Sequence, residues 1–279
     1  QEIAVTPIQI RASSFGTLTD CAARWKAIHI DGVAMPSSVA AHLGTSIHAG
    51  TAAYDQSVLD GLPLRPAEAV GALVDTLYDP NADVDWSTDD TPKKKLEAMA
   101  TKLHTMYCEE IAPTQDYIAV EEALPPLEVP FRDSGISIVL TGHVDRIRHE
   151  DGLIGVGDLK SGAGRNAVSK DADGNLIVST SKHIAQLGIY ELLTEAAIGH
   201  ALLAPAAVYG MKTGSNPAVA VGYVQSPKDV VLGREGAPGL LELVARMLAH
   251  EIFVGNPRSM LCSQKYCPVF QTCHWRKGF

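Results

Sequence analysis

Asp145 and the run Asp158-Leu159-Lys160 are the residues whose types and spacing come nearest to a reaction centre. Asp145 closes the strand-like run ISIVLTGHVD, and Asp158 and Lys160 stand near the end of LIGVGDLK. Residues two apart in a strand share a face, so Asp158 and Lys160 point the same way. A short turn at 150–152 joins the two runs as a hairpin, which can set Asp145 beside Asp158. Two carboxylates at a strand end suit Mg²⁺, which keeps several waters and bridges to substrate phosphate. A lysine beside them can orient or help deprotonate an attacking water and offset charge developing on phosphate. An isolated D…DxK is more often a turn with solvated charges.

Here the triad has company. His48, in GTSIHAG, sits in a helical stretch where it could supply a nitrogen ligand. Gln186 and Tyr190 are i and i+4 in a later helical stretch and so share one face. Each of these is ordinary alone; the ordered set G-x-x-x-H, GHVDRI, GDLKSG, QLGIY is not. The five cysteines are unevenly placed: Cys21 and Cys108 stand alone, whereas Cys262, Cys267 and Cys273 crowd the last eighteen residues. In a reducing compartment such a cluster reads as metal-binding rather than as a disulfide framework. Cys108, between Tyr107 and the acidic pair Glu109 and Glu110, reads as a core residue.

In that order and approximate spacing, these residues resemble the PD-(D/E)XK nuclease superfamily, specifically its RecB-like exonuclease branch, over roughly residues 10–275. The resemblance implies a restriction-endonuclease-like core and assigns Asp145, Asp158 and Lys160 to catalysis. His48 matches the branch's upstream histidine, and Gln186 with Tyr190 its trailing Q-x-x-x-Y. Glu121 or Glu122 matches a further acidic position loosely. Asp158 stands where many members have Glu. LTDCAARWK and LCSQKYCPVFQTC resemble the iron–sulfur members, among them AddB-type helicase–nucleases and CRISPR-associated or phage-borne nucleases. The resemblance therefore implies a 4Fe–4S cluster on Cys21, Cys262, Cys267 and Cys273. Its C-x4-C-x5-C spacing has a longer first interval than the C-x2-C of several members. As chemistry, four thiolates suit zinc equally. Either group would tie Cys21 to the tail across a loop of ~240 residues, a structural staple in the loop-entropy view.

These residues need elements to position them. Ser13 or Ser14 opens a helix over 12–30. A helix over 37–60 starts at Ser37 or Ser38 and stops at Gly61. Further helices fit 66–78 and 93–111, with a Pro- and Asp-rich loop at 79–92 between them. From Asp116 the pattern becomes β-rich: YIAVEEALP, LEVPF, ISIVLTGHVDRIRHE and GLIGVGDLK. DADGN at 171–175 reads as a hairpin turn, 183–199 as a helix, 204–211 and 219–226 as strands, and 237–254 as a last helix. The tail after Pro257 reads as irregular. The expected fold class is α/β, a mixed sheet flanked by helices. The chain reads as one domain, 1–279: a helical part (1–115), a core sheet (116–226), and a helix with a cluster-binding tail (227–279).

With 279 residues, 46% hydrophobic and 20% charged, the chain can bury a sizeable core. It is neither a disordered tail nor a coiled-coil rod. No apolar stretch approaches the ~18 residues of a membrane span, and no signal peptide is visible, so the expected location is cytoplasmic, in a bacterium or phage. The net charge of −9 excludes a uniformly basic nucleic-acid binder but not local basic patches. Acid gathers in 74–90, with six Asp and no Lys or Arg. GAGRNA at 162–167 mimics a dinucleotide loop but no apolar helix follows it, and DADGN lacks the Glu that an EF-hand requires at position twelve.

The combined reading is a Mg²⁺- or Mn²⁺-dependent DNase. His48, Asp145, Asp158 and the Leu159 carbonyl would hold metal, and Lys160 would assist water attack on a phosphodiester. Gln186 and Tyr190 would position DNA or brace the lysine. Arg165, Lys170, Lys182, Arg276 and Lys277 are candidate phosphate contacts. The resemblance implies DNA ends or single strands as substrate and a setting in recombination, repair or phage and CRISPR DNA processing, with protein partners there. The rival reading is a binding or assembly subunit of a larger helicase–nuclease or integration complex, against which the intact D…DxK argues.

Overall fold

The computed structural model describes residues 6–163 and 167–276. In chain order the elements begin with β1 (Thr6–Arg11), α1 (Ala12–Asp20), α2 (Ala22–His29) and the two-residue β2 (Ser37–Ser38). Then come α3 (Val39–Leu59), α4 (Pro66–Leu77), β3 (Val84–Asp85) and α5 (Lys93–Met106). The sheet region supplies β4 (Asp116–Phe131), β5 (Ile136–Glu150), β6 (Leu153–Ala163), β7 (Val168–Lys170) and β8 (Leu176–Val178). It is followed by α6 (Ile184–Ile198), β9 (Ala206–Thr213), β10 (Ala218–Val224), α7 (Lys228–Leu232), β11 (Gly233–Arg234), β12 (Ala237–Pro238) and α8 (Leu240–Ala249).

Most of the expected elements are present. The Ser38 hydroxyl caps α3 by accepting from the Ala41 amide at 3.3 Å, and Asp171 closes the β7–β8 hairpin by accepting from the Asp173 and Asn175 amides. Four expectations need correction. The helix over 12–30 is two helices, broken at Cys21, whose backbone (φ −147°, ψ 89°) leaves the helical region. The helix over 93–111 keeps α geometry to Met106 and finishes in a π turn, Tyr107–Ile111. YIAVEEALP and LEVPF form one strand, β4, because a bulge between Leu124 and Leu127 absorbs the two prolines without ending the ladder. The helix over 237–254 shrinks to α8, because 233–238 forms the small β11–β12 hairpin, and α7 precedes it unannounced.

The sheet is mixed. β4 runs antiparallel along one edge of β5, and β9 lies between β6, parallel, and β10, antiparallel. The other edge of β5 is shared. β1 pairs with it in parallel up to Arg11–Thr141, and β6 pairs antiparallel only from Arg146–Gly157 onward. Neither ladder opposes Gly142–Asp145, so the sheet forks there, and beyond Gly157 β6 pairs with β9.

Two apolar cores cover the two faces. Phe15, Leu18 and Trp25 of α1 and α2, Leu187 and Leu193 of α6, and Leu241 and Val244 of α8 pack against Ile138, Leu140 and Val156. On the other face Leu43 and Ile47 of α3, Leu73 of α4 and Leu96 and Leu103 of α5 pack against Leu159, Tyr209 and Met211. Alternation along β9, with Val208 in one core and Tyr209 in the other, follows the two-residue period of a strand buried on both faces. Among the described residues no helix is long and apolar enough to cross a membrane.

Candidate active site

The fork gathers the chemistry. Asp145 ends the stretch of β5 that neither β1 nor β6 opposes, and its Oδ2 accepts from the Leu159 amide of β6 at 2.7 Å. From α3, His48 Nδ1 lies 3.6 Å from the same oxygen. Helix α3 can approach because Gly44 lies one turn before His48: a Cβ there would fall 2.9 Å from Ser161 Oγ. On β6, Lys160 Nζ stands 2.6 Å from Asp158 Oδ2, as the two-residue spacing predicts. From the opposite face α6 closes in. Gln186 Nε2 donates to Asp158 Oδ1 at 3.2 Å and to Tyr190 Oη at 3.0 Å. Gly142 permits that approach, since a Cβ on it would sit 2.9 Å from Leu193 and 3.0 Å from the Tyr190 ring.

Asp158 is fully buried. Burial pushes its carboxyl up to about 6, against the pull of Lys160 and with added repulsion from Asp145. The Lys160 ammonium is the cation that faces Asp158 Oδ2, a buried carboxylate oxygen. His183, at the start of α6, is driven down to about 4 by burial, then by Lys160 and Lys182, and so is neutral near pH 7.

One member of the site was only half legible. Glu121 has a left-handed backbone (φ 49°), and the β4–β5 ladder pairs Val120 with Arg146 and Glu122 with Val144, which leaves Glu121 across from Asp145. Of the two candidate acids, Glu121 faces the site. Ligand atoms of His48, Glu121 and Asp145 lie within 4.8 Å of one another. Burial and the Asp145 charge raise the Glu121 carboxyl, opposed by Arg146 and His143. One imidazole and clustered carboxylates, with the buried Asp158 carboxyl beside them, form a hard O/N donor set, which fits Mg²⁺ or Mn²⁺.

The cysteines make a second centre. Cys21, Cys262, Cys267 and Cys273 line one small pocket, about 20 Å³, with Arg24, Phe270 and Trp275. The tail reaches it through short turns and is pinned to the front of the chain. The Asn256 amide donates to Cys21 Sγ at 3.4 Å, Asn256 Nδ2 and Ser259 Oγ donate to Asp20, and Arg24 Nε donates to the Tyr266 carbonyl at 2.8 Å. Cys108 is apart from this pocket, buried beside His104. Burial drives its thiol well up, so it is inert, as expected of a core cysteine.

Among the described residues, the expected phosphate contacts stand on three separate segments. Lys182 adjoins His183 on the Lys160 side of the molecule. Lys170 is on the exposed β7–β8 hairpin, and Arg276 lines the cysteine pocket while donating to the Gln271 carbonyl. Arg165 and Lys277 lie outside the described residues.

Among solved structures, the chain is similar to a candidate exonuclease from Eubacterium rectale, with 11% identity, 87% of this chain and 79% of that chain covered, and a TM-score of 0.45. It is also similar to SSO0001, with 13% identity, 95% and 85% covered, and a TM-score of 0.40. No curated protein matches it significantly in sequence. The model of the PD-(D/E)XK nuclease superfamily, whose members are phosphodiester hydrolases that use divalent metals, matches residues 9–274. That span takes in both halves of the fork, the helices on either side of it and the cysteine tail, and the mixed sheet is of the restriction-endonuclease-like kind: the chain belongs to the PD-(D/E)XK nuclease superfamily.

Proposed function

We propose that the protein is an exonuclease of the RecB-like type, acting on DNA ends or single strands and carrying a structural 4Fe–4S cluster. The observation that carries the catalytic part is the convergence of Asp145, Asp158, Lys160 and His48 on one break in the sheet. His48, Glu121, Asp145 and Asp158 would hold one or two divalent ions. The Leu159 carbonyl would join them, since it shares a strand edge with the amide that Asp145 accepts from. Such an ion supplies Lewis acidity and a lowered pKa for water. Lys160, held by Asp158, orients the attacking water and places its ammonium beside the phosphate oxygen that gains charge. Gln186 fixes the Asp158 carboxyl and is itself placed by Tyr190, so the Q-x-x-x-Y pair acts on the carboxylate rather than directly on the lysine.

For the cluster, the supporting observation is the pocket between the four thiols. Tetrahedral zinc holds sulfur at ~2.3 Å, which leaves little space among the ligands. Among the described residues the compact donor group is the one at His48, and the cysteines form no such group. An iron–sulfur cube suits the wider spacing, and Arg24 beside Cys21 and Cys267 offsets thiolate charge. DNA recombination, repair or phage DNA processing is the setting this reading favours.

Anaerobically purified protein, given labelled single-stranded, blunt duplex and closed circular DNA with Mg²⁺, Mn²⁺ or chelator, tests the assignment. Metal-dependent release of nucleotides from linear substrates, with circles spared, is expected. Cutting of circles would make it an endonuclease, and cleavage in chelator would overturn the metal-dependent reading.

A further inference from the structure

Beneath the fork lies a buried charge that the hydrolytic chemistry does not use. The Arg146 side chain is fully buried, directly after Asp145 in sequence. Its Nε donates to Asp55 Oδ2 at 2.7 Å; one terminal nitrogen donates to the Asp145 carbonyl at 2.6 Å and to Glu121 Oε1 at 3.3 Å; the other donates to Thr51 Oγ1 at 3.3 Å. Asp55, also buried, accepts in addition from the Tyr107 hydroxyl at 2.6 Å, which in turn meets the Tyr117 hydroxyl at 2.8 Å. His48, Thr51 and Asp55 recur at i, i+3 and i+7, so one stripe of α3 carries both the histidine of the site and the partners of Arg146.

A buried ion pair is poor evidence of added stability, because desolvation offsets much of the attraction. What a guanidinium provides is geometry: a planar fork whose donors reach several acceptors at fixed angles. Here the acceptors belong to three elements, α3, β4 and β5, and two of them, Glu121 and Asp145, are members of the donor set. The left-handed backbone of Glu121 gives the reason such a brace is needed, since that residue departs from the regular strand.

We infer that Arg146, clamped by Asp55 and Tyr107, is a positioning residue that sets Glu121 and Asp145 at metal-binding spacing and locks the rotation of α3 that presents His48. It never touches substrate. The inference rests on the metal-site reading above and assigns to the Arg146–Asp55–Tyr107 brace the site's affinity for the ion.

The test is Mn²⁺ titration of the DNA-free protein followed by the resonance signal of free Mn²⁺, on wild type, His48→Ala, Asp55→Asn and Tyr107→Phe. Asp55→Asn keeps the shape but removes the charge, and Tyr107→Phe keeps the ring and removes only the hydroxyl. Loss of partners behind metal ligands weakens binding ~10–100-fold. Asp55→Asn is expected in that range and Tyr107→Phe at its lower end, with cleavage at saturating Mn²⁺ recovering towards wild type. If Asp55→Asn does not fold, Tyr107→Phe decides. Wild-type affinity in the folded Asp55→Asn and Tyr107→Phe variants, while His48→Ala loses binding, overturns the brace and leaves the site reading intact. No binding by wild type itself, or none lost in His48→Ala, overturns the site reading and the brace with it.

Discussion

The fork and the cysteine pocket are built in opposite ways. At the fork each candidate ligand stands on a helix or strand, His48 on α3, Asp145 on β5, Asp158 on β6 and Glu121 at a left-handed residue of β4. Strand registers and a helix stripe fix their spacing before anything binds. In the pocket the three tail cysteines sit between short turns, and Cys21 sits at the break between two helices. A few hydrogen bonds to Asp20, Cys21 and Arg24 hold the tail there. The first arrangement is preorganised by the sheet. The second joins α1 and α2 to the cysteine tail through these bonds and, on the cluster reading, through the thiols. One centre should therefore be removable without harm to the fold, and the other should not.

The largest effects should separate the two. Lys160→Ala and Asp158→Ala should lower DNA cleavage by about 10²–10⁴-fold, while visible absorption stays close to wild type and the protein still melts cooperatively. Steady-state cleavage, absorption spectra and thermal melts on the same preparations check this. Conversely, the proposed 4Fe–4S cluster should make anaerobically purified protein brown, and serine at Cys21, Cys262, Cys267 or Cys273 should abolish that colour and lower Tm, on the order of 5–15 °C for loss of a tie between distant residues. Cys108→Ser should keep the colour. A cysteine variant that loses colour yet melts like wild type would make the tail's attachment independent of the cluster.

A smaller effect should run through pH at the fork alone. The folded carboxyl of Asp158, raised to about 6 by burial, sits above its unfolded value of about 4. Its contribution to folding is complete below pH 4 and is lost as pH rises through 6, a loss on the order of 2–3 kcal/mol in metal-free protein. Asp158→Asn does not incur that loss. In chelator, its Tm should exceed that of wild type by roughly 5–10 °C above pH 7, and the gap should close near pH 4. Metal binds the ionised carboxylate, so Mn²⁺ affinity of wild type should fall as pH drops through 6. An Asp158→Asn variant that melts at or below wild type at pH 8 would mean that the buried carboxylate carries no strain.

The smallest concerns the DNA path. Lys182→Ala should weaken DNA binding a few-fold and reduce the salt dependence by about one phosphate contact, a slope change of roughly 0.7–0.9. Lys170→Ala, at the exposed end of β7, should change it less. Fluorescence anisotropy across a salt series measures both.

The contrast between the two centres also governs what the sequence could tell. Asp158 and Lys160 were legible because a strand has a period of two, and α3 because Ser38 and Gly61 mark its ends. Whether Glu121 or Glu122 enters the site was not, since a left-handed residue and a ladder register decide it, and neither has a residue signature. Arg146 reads as one more charge in GHVDRI, and only tertiary packing shows that it is sealed between Asp55 and Glu121. The break at Cys21 escaped helical pattern reading because Ala22, Trp25 and Ala27 continue an apolar face beyond it. The turns around the tail cysteines carry no periodicity at all.

Anomalous scattering from Mn²⁺ soaked into crystals of the protein tests the central claim most directly. A peak is expected within bonding distance of His48 Nδ1 and the Asp145 and Asp158 carboxylates, absent in the Asp158→Ala variant. Manganese bound elsewhere in crystals of active enzyme, with these residues bare, would contradict it.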